Sequence, residues 1–132
     1  MEHVSYMRQV NLFDPAQFDN HVTIVGLGNI GSHAAATLAR LGIKKMMLYD
    51  DDKAEAHNLA SQNYDIHDLG KNKAICTASR LSAINPDLDV MPQPFKYDGQ
   101  QVPEILIIAI DTMVGRKDIC KKLKELQDFQ RP

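Results

Sequence analysis

The chain has 132 residues, 44% of them apolar, which suits a single domain around one core. Its 15 basic and 17 acidic residues leave a net charge of −2, so no whole-molecule positive field draws nucleic acid, and Lys121, Lys122 and Lys124 read as a solvated helix face. No apolar run reaches the ~18 residues of a membrane span, MEHVSYMRQ does not have the pattern of a signal peptide, and two cysteines without C-x-x-C spacing fit a reducing compartment, so a soluble cytoplasmic protein without membrane contact is expected.

In chain order, residues 1–20 form a helical or extended segment with too many large apolar groups (Tyr6, Val10, Leu12, Phe13, Phe18) for a free tail. Asp14-Pro15 has the form of an N-cap followed by proline at the first helical position. Val22–Gly26 is a short β-branched run read as a buried strand. Ile30, Ala34, Leu38 and Leu41 then recur at helical spacing, and Gly42 ends that helix. Lys45–Tyr49 is a second strand. After an acidic loop and NLASQNYDIHDLG, a helix is expected from about Lys71 to Ile84, with Ala74, Ala78 and Leu81 on one face and Asn85-Pro86 stopping it. Leu88–Met91 is a modest third strand and Ile105–Ile110 a strongly apolar fourth. The last helix runs from about Val114 to Phe129. Apolar runs alternating with helices predict a Rossmann-like, doubly wound α/β fold: a mainly parallel sheet of about four strands with helices on both faces.

Gly26, Gly28 and Gly31 have the G-x-G-x-x-G spacing directly after a strand and opening a helix, so the loop and the helix N-terminus around Asn29 suit a phosphate. Asp50 lies 19 residues beyond Gly31, where a carboxylate binds ribose hydroxyls. These residues serve NAD and ATP alike. A second acid facing the phosphates, Asp52, makes sense when Mg²⁺ comes with them. Lys73, near a helix start, can neutralise phosphate charge, and Asp111 ends the fourth strand, where ligands bind in open α/β sheets.

The ordered set Tyr6-Met7-Arg8-Gln9, Gly26–Ser32, Asp50-Asp51-Asp52, Asn58-Leu59-Ala60-Ser61-Gln62, Asp68–Lys73, Asn85-Pro86 and Asp111 resembles the ThiF/MoeB/HesA family, the bacterial relatives of ubiquitin-activating enzymes. The resemblance implies adenylation by ATP of the C-terminal glycine carboxylate of a ubiquitin-like or sulfur-carrier β-grasp protein. By position, Gly26, Gly28, Asn29, Gly31 and Asp50 would hold the nucleotide. Asp52 would face its phosphates, Asn58, Gln62 and Lys73 would contact it, and Asp111 would bind Mg²⁺. Arg116 matches a frequent arginine of the following helix. Arg8 matches one that reaches the neighbouring subunit's ATP in homodimers. Lys73, Asp111 and Arg8 are thus the expected catalytic residues.

Two departures stand against full activity. The family's N-L-x-R-Q arginine is Ser61 here, and Ser5 stands where another N-terminal arginine is common. Elements of the family's C-terminal half also have no counterpart: further strands, a crossover loop, a thiol-forming cysteine and zinc-binding cysteine pairs. Cys76 and Cys120 read as small core thiols. The alternatives are an NAD-binding Rossmann module, which leaves Asp52, Asn58, Lys73 and Asp111 without a task, and a non-catalytic scaffold subunit of a heterodimer.

Overall fold

In the computed structural model, which describes residues 5–100 and 103–130, strand β1 (His21–Val25) lies between β2 (Lys45–Tyr49) and β4 (Ile105–Ile108), and β3 (Asp89–Gln93) pairs outside β2. All pairings are parallel, in the order β3-β2-β1-β4. The chain therefore winds outward from β1 to β3 and then crosses to the other side of β1. That reversal creates a crevice at the carboxyl ends of β1 and β4.

Alternation along the strands divides the core. Val22, Ile24, Met46, Leu48, Ile105 and Ile107 face helices α1 (Asn29–Leu41) and α2 (Lys73–Ile84). Val25, Met47, Tyr49, Leu106 and Ile108 face the opposite layer, made by Tyr97 and by Ile119 and Leu123 of α3 (Met113–Gln130). Helices on both faces of a parallel four-stranded sheet are the architecture the sequence predicts. Among the described residues no helix is long and apolar enough to cross a membrane.

Several boundaries differ from expectation for local reasons. The helical pattern from Lys71 starts at Lys73, because Asn72 is the N-cap, its Oδ1 accepting from the Ala74 and Ile75 N–H groups at 2.8 and 3.1 Å. The third strand lies two residues later at its C-terminal end and includes Pro92, tolerated because β3 is an edge strand. The fourth strand ends at Ile108 rather than Ile110: its partner β1 ends at Val25, and Gly26, with φ +93°, turns away from the ladder. β4 is also half-exposed throughout rather than buried on both sides, since it forms the other sheet edge.

The buried stripe of α1 is Gly31, Ser32, Ala35 and Ala39, one residue out of step with the apolar spacing, and Ile30 is exposed. Small residues win that face because the helix starts directly over the glycine turn. A Cβ on Gly31 would lie 1.8 Å from the Gly26 carbonyl oxygen. The helix ends at Gly42 as expected, with the Gly42 and Ile43 N–H groups bonded to the Ala39 and Leu38 carbonyls.

The N-terminal segment docks rather than trailing free. Asp14-Pro15 starts only a single 3-10 turn, Pro15–Gln17, and the Phe13 and Phe18 rings pack 5.6 Å apart. The Asn85 Nδ2 group, in a side chain 2% exposed, donates to the Tyr6 hydroxyl at 3.0 Å and to the Ala39 carbonyl at 3.1 Å, while Gln9 Nε2 donates to the Leu41 carbonyl at 2.7 Å. Tyr6, Gln9 and Asn85 are thus fastening residues.

Candidate functional site

Leu27, between the first two glycines, organises the site. Its side chain is fully buried, its N–H donates to Asp50 Oδ2 at 2.7 Å, and its carbonyl accepts from the Tyr64 hydroxyl at 2.6 Å. Both polar groups of the residue are therefore held by side chains from outside the loop. Asp50 Oδ1 accepts the Asp52 N–H at 2.8 Å, and the Asp50 carbonyl accepts from Asn72 Nδ2 at 2.9 Å. Burial raises the Asp50 carboxyl above the usual carboxylate range, against the lowering pull of those two N–H donors. The backbone N–H of Lys73 in turn donates to the Asp52 carbonyl at 2.9 Å. The glycine loop, the acidic loop and the start of α2 form one braced unit.

A cleft of about 580 Å³ opens at the crevice between the carboxyl ends of β1 and β4. Gly26, Gly28, Asp50, Asp52, Gln62, Lys73 and Asp111 all line it. Lys73 is only 6% exposed, which for a lysine requires an anionic counterpart or a solvated cleft wall. A Cβ on Gly28 would meet nothing nearer than Gln62 Nε2 at 3.7 Å, so the space over that backbone is open. Among the described residues Gln62 Oε1 is buried without a hydrogen-bond partner, an orphan that a ligand donor in the cleft would satisfy. Carboxylate oxygens of Asp50, Asp51 and Asp52 lie within 4.8 Å of one another, donors of the type a hard cation takes, though both Asp50 oxygens already accept backbone N–H groups. Asp111 is exposed and lies outside that group, past the end of β4.

Other predicted residues lie outside the cleft. Asn29 and Gly31 belong to the first turn of α1, where Gly31 allows the close approach to Gly26. Asn58 is buried, and its Oδ1 accepts the Glu55 N–H at 2.8 Å, closing a capping box on a short turn. Ser61 is exposed, and its carbonyl is hydrogen-bonded to His33 Nε2 at 2.8 Å. Arg116 donates through Nε to the Ile110 carbonyl at 2.8 Å and so fixes the turn that carries Asp111. Arg8 is exposed, on the segment packed against the end of α1 at the amino ends of the strands. One strand length, about 15 Å, separates that end of the sheet from the cleft.

Tyr64, Asn72 and Lys96 had no site role in the sequence, and Lys122 read there as part of a solvated helix face. Tyr64 and Asn72 brace the loops; only the asparagine directly before an apolar helix carried a signal, as an N-cap. Lys96 and Lys122 line the cleft from the segment after β3 and from α3, and no motif links them to it. Lys122 is ion-paired with Asp98. Asp65 and Asp68 are engaged by Arg80 at 3.0 and 2.7 Å rather than by the cleft. Cys76 is buried as expected, its thiol pushed up to about 11 by burial, but Cys120 is exposed, because it follows Ile119, the residue α3 turns toward the sheet.

A parallel sheet with its glycine turn, braced acids and cleft at the point where strand order reverses defines a nucleotide-binding type of α/β domain. The sequence profile of the ThiF family matches residues 6–122, and the chain belongs to that family. It is 29% identical over 127 residues to the sulfur carrier protein ThiS adenylyltransferase of Escherichia coli K12, covering 86% of this chain and 51% of that protein. It is 32% identical over 102 residues to the SAMP-activating enzyme E1 of Haloferax volcanii, covering 75% of this chain and 37% of that one. The crystal structure of the E. coli tRNA N6-threonylcarbamoyladenosine dehydratase TcdA in complex with ATP superposes with a TM-score of 0.79 at 25% identity, covering 96% of this chain and 59% of that one. The chain thus spans about half the length of the adenylyltransferase it matches, and less of the archaeal enzyme.

Proposed function

We propose that this chain is the nucleotide-binding part of an adenylating enzyme that activates the C-terminal glycine carboxylate of a ubiquitin-like or sulfur-carrier β-grasp protein. The observation that carries the reading is the convergence of Gly26, Gly28, Asp50, Gln62, Lys73 and Asp111 on one cleft at the strand-order reversal. The names of the relatives, a ThiS adenylyltransferase and a SAMP-activating enzyme, agree with it.

ATP would bring the electrophilic α-phosphate, and Mg²⁺ would offset the charge of the phosphates. The chain's own part is binding and orientation. The loop from Gly26 to Gly31 and the N-terminal turn of α1 at Asn29 offer backbone N–H groups to phosphate. Asp50 and Gln62 would hold the nucleoside end, Lys73 would offset phosphate charge, and Asp111 would hold the metal, with Asp52 of the neighbouring acidic group as a further oxygen donor lining the same cleft. Asn58 acts through the turn that presents Gln62, whose N–H is bonded to the Asn58 carbonyl at 2.9 Å. The acceptor carboxylate attacks the α-phosphate and pyrophosphate leaves.

Arg8 cannot serve the cleft of its own chain from the other end of the sheet. In this reading it serves a second copy in a homodimer, and exposed Met7 and Leu12 beside it supply apolar contact area. Ser61 leaves the family's phosphate-binding arginine position without a cation, so nucleotide binding outlasts fast adenylation. The test is pyrophosphate exchange into ATP with a β-grasp protein ending in Gly-Gly. Exchange that depends on that terminus supports the reading, and nucleotide binding without any exchange would identify a non-catalytic subunit.

A further inference from the structure

Two independent braces meet at Leu27, and only one of them involves a residue already assigned to the nucleotide. Asp50 takes the Leu27 N–H. Tyr64, 7% exposed and 37 positions away, gives its phenol proton to the Leu27 carbonyl at 2.6 Å. A phenol has one proton to give, so at the 3.2 Å contact between Tyr64 Oη and Thr77 Oγ1 the threonine hydroxyl is the donor. Thr77 lies one helical turn beyond Lys73 on α2, and the Tyr64 ring packs with Ala54 and Cys76. A chain of two hydrogen bonds therefore runs from the helix that carries Lys73 to the peptide between Gly26 and Gly28. Every member is shielded from water, where such a bond is costly to leave unmade.

We infer that Tyr64 is a positioning residue, which sets the glycine-loop amides at a fixed distance from the Lys73 ammonium and so matches the loop to a polyphosphate. Gly26 needs its positive φ and Gly28 presents bare backbone, so the loop's shape rests on the buried Leu27 side chain and on the two polar braces of that residue. Without Tyr64, the Leu27 carbonyl is held only through the covalent chain. The ligand in this inference rests on the nucleotide reading above; the loop geometry does not.

The experiment compares wild type with Tyr64→Phe, which keeps the ring and removes the hydroxyl. In the nucleotide-free protein, exchange of the hydrogen-bonded loop amides of Leu27 and Ser32, which donate to Asp50 and to the Gly28 carbonyl, is expected to speed up by about tenfold in the variant, the loss of roughly 1.4 kcal/mol of local protection. Exchange at Leu48 in β2 should stay within about twofold. In titrations, Kd for Mg-ATP is expected to rise by a similar factor of about ten while Kd for adenosine, which has no phosphate to place, stays within about twofold. Unchanged exchange at Leu27 and Ser32, or a rise shared equally by Leu48, overturns the inference, as does equal weakening of both ligands. If wild type binds neither ligand, the nucleotide reading fails and the exchange comparison alone decides the positioning role. Should Tyr64→Phe not fold, Thr77→Val reads the same brace from the helix side: faster exchange at Leu27 and Ser32 supports it and unchanged protection overturns it.

Discussion

The Asp50 carboxylate accepts the Leu27 N–H at 2.7 Å, so the acid proposed to bind the ribose also holds the glycine loop in shape. Its other oxygen accepts the Asp52 N–H at 2.8 Å. Each oxygen keeps a further lone pair for a ligand, and bracing and binding are therefore compatible in one side chain. The two tasks predict that Asp50 variants lose stability and binding together.

Asp50→Asn tests this. A carboxamide has one acceptor oxygen, so one of the two backbone N–H groups loses its partner, at a cost of about 1–3 kcal/mol in urea unfolding at pH 7. The pH dependence also changes. The folded carboxyl lies above its unfolded value, so its favourable contribution is present below the unfolded pKa and is lost as pH rises through the raised folded value. The variant should lack that decline, which begins near pH 4.

Gly31 and Gly28 are predicted to fail differently. The Cβ of Gly31→Ala would lie 1.8 Å from the Gly26 carbonyl oxygen, so this variant is expected to lose ~3 kcal/mol or more, read as a fall in Tm, or not to fold. Gly28→Ala meets nothing nearer than 3.7 Å, so its Tm should fall far less than that of Gly31→Ala. Its methyl group would instead occupy the approach to the phosphate, and Mg-ATP affinity should drop. Equal thermal stability of the two variants would contradict the packing argument.

Acid sensitivity should come from the turn before α2. The hydrogen bond from Arg80 holds Asp65 below the usual carboxylate range, so this stabilisation is present above the unfolded pKa and disappears as pH falls through the lowered folded value. Arg80→Met should therefore lower Tm at pH 7, and the gap to wild type should narrow below about pH 3.5. A gap that stays constant into acid would show that Arg80 acts through packing alone.

The sequence was most legible where local chemistry decides the outcome. The glycine turn, the Gly42 helix end and the alternation of apolar runs follow from φ preferences and side-chain periodicity, and they yield the fold and the position of the cleft. The inward face of α1 was misread, because close packing on Gly26 favours Gly31 and Ala35 over the larger Ile30. The half-exposure of β4 was hidden because an edge strand and a central strand can have the same apolar composition. Tyr64, Lys96 and Lys122 reach the site only through tertiary folding. No spacing rule connects residues 27 and 64, whereas Asp50 was found because the turn-and-strand pattern fixes its position relative to the glycines, and Lys73 because it lies near the start of a helix within a recognisable motif.

Ser61→Arg asks whether the missing cation limits catalysis. The variant is expected to raise pyrophosphate exchange by at least about tenfold, a small part of the ~10³–10⁵ that a positioned arginine contributes to phosphoryl transfer. An unchanged rate would mean that the limitation lies elsewhere.

The central claim is that the cleft is built for Mg-ATP, and the most direct measurement is calorimetric titration of the protein with ATP, with and without magnesium, and with NAD. The account predicts tighter binding of Mg-ATP than of NAD, with Asp111→Ala weakening only the magnesium-dependent part. Tighter binding of NAD, indifferent to magnesium and to Asp111, would contradict it.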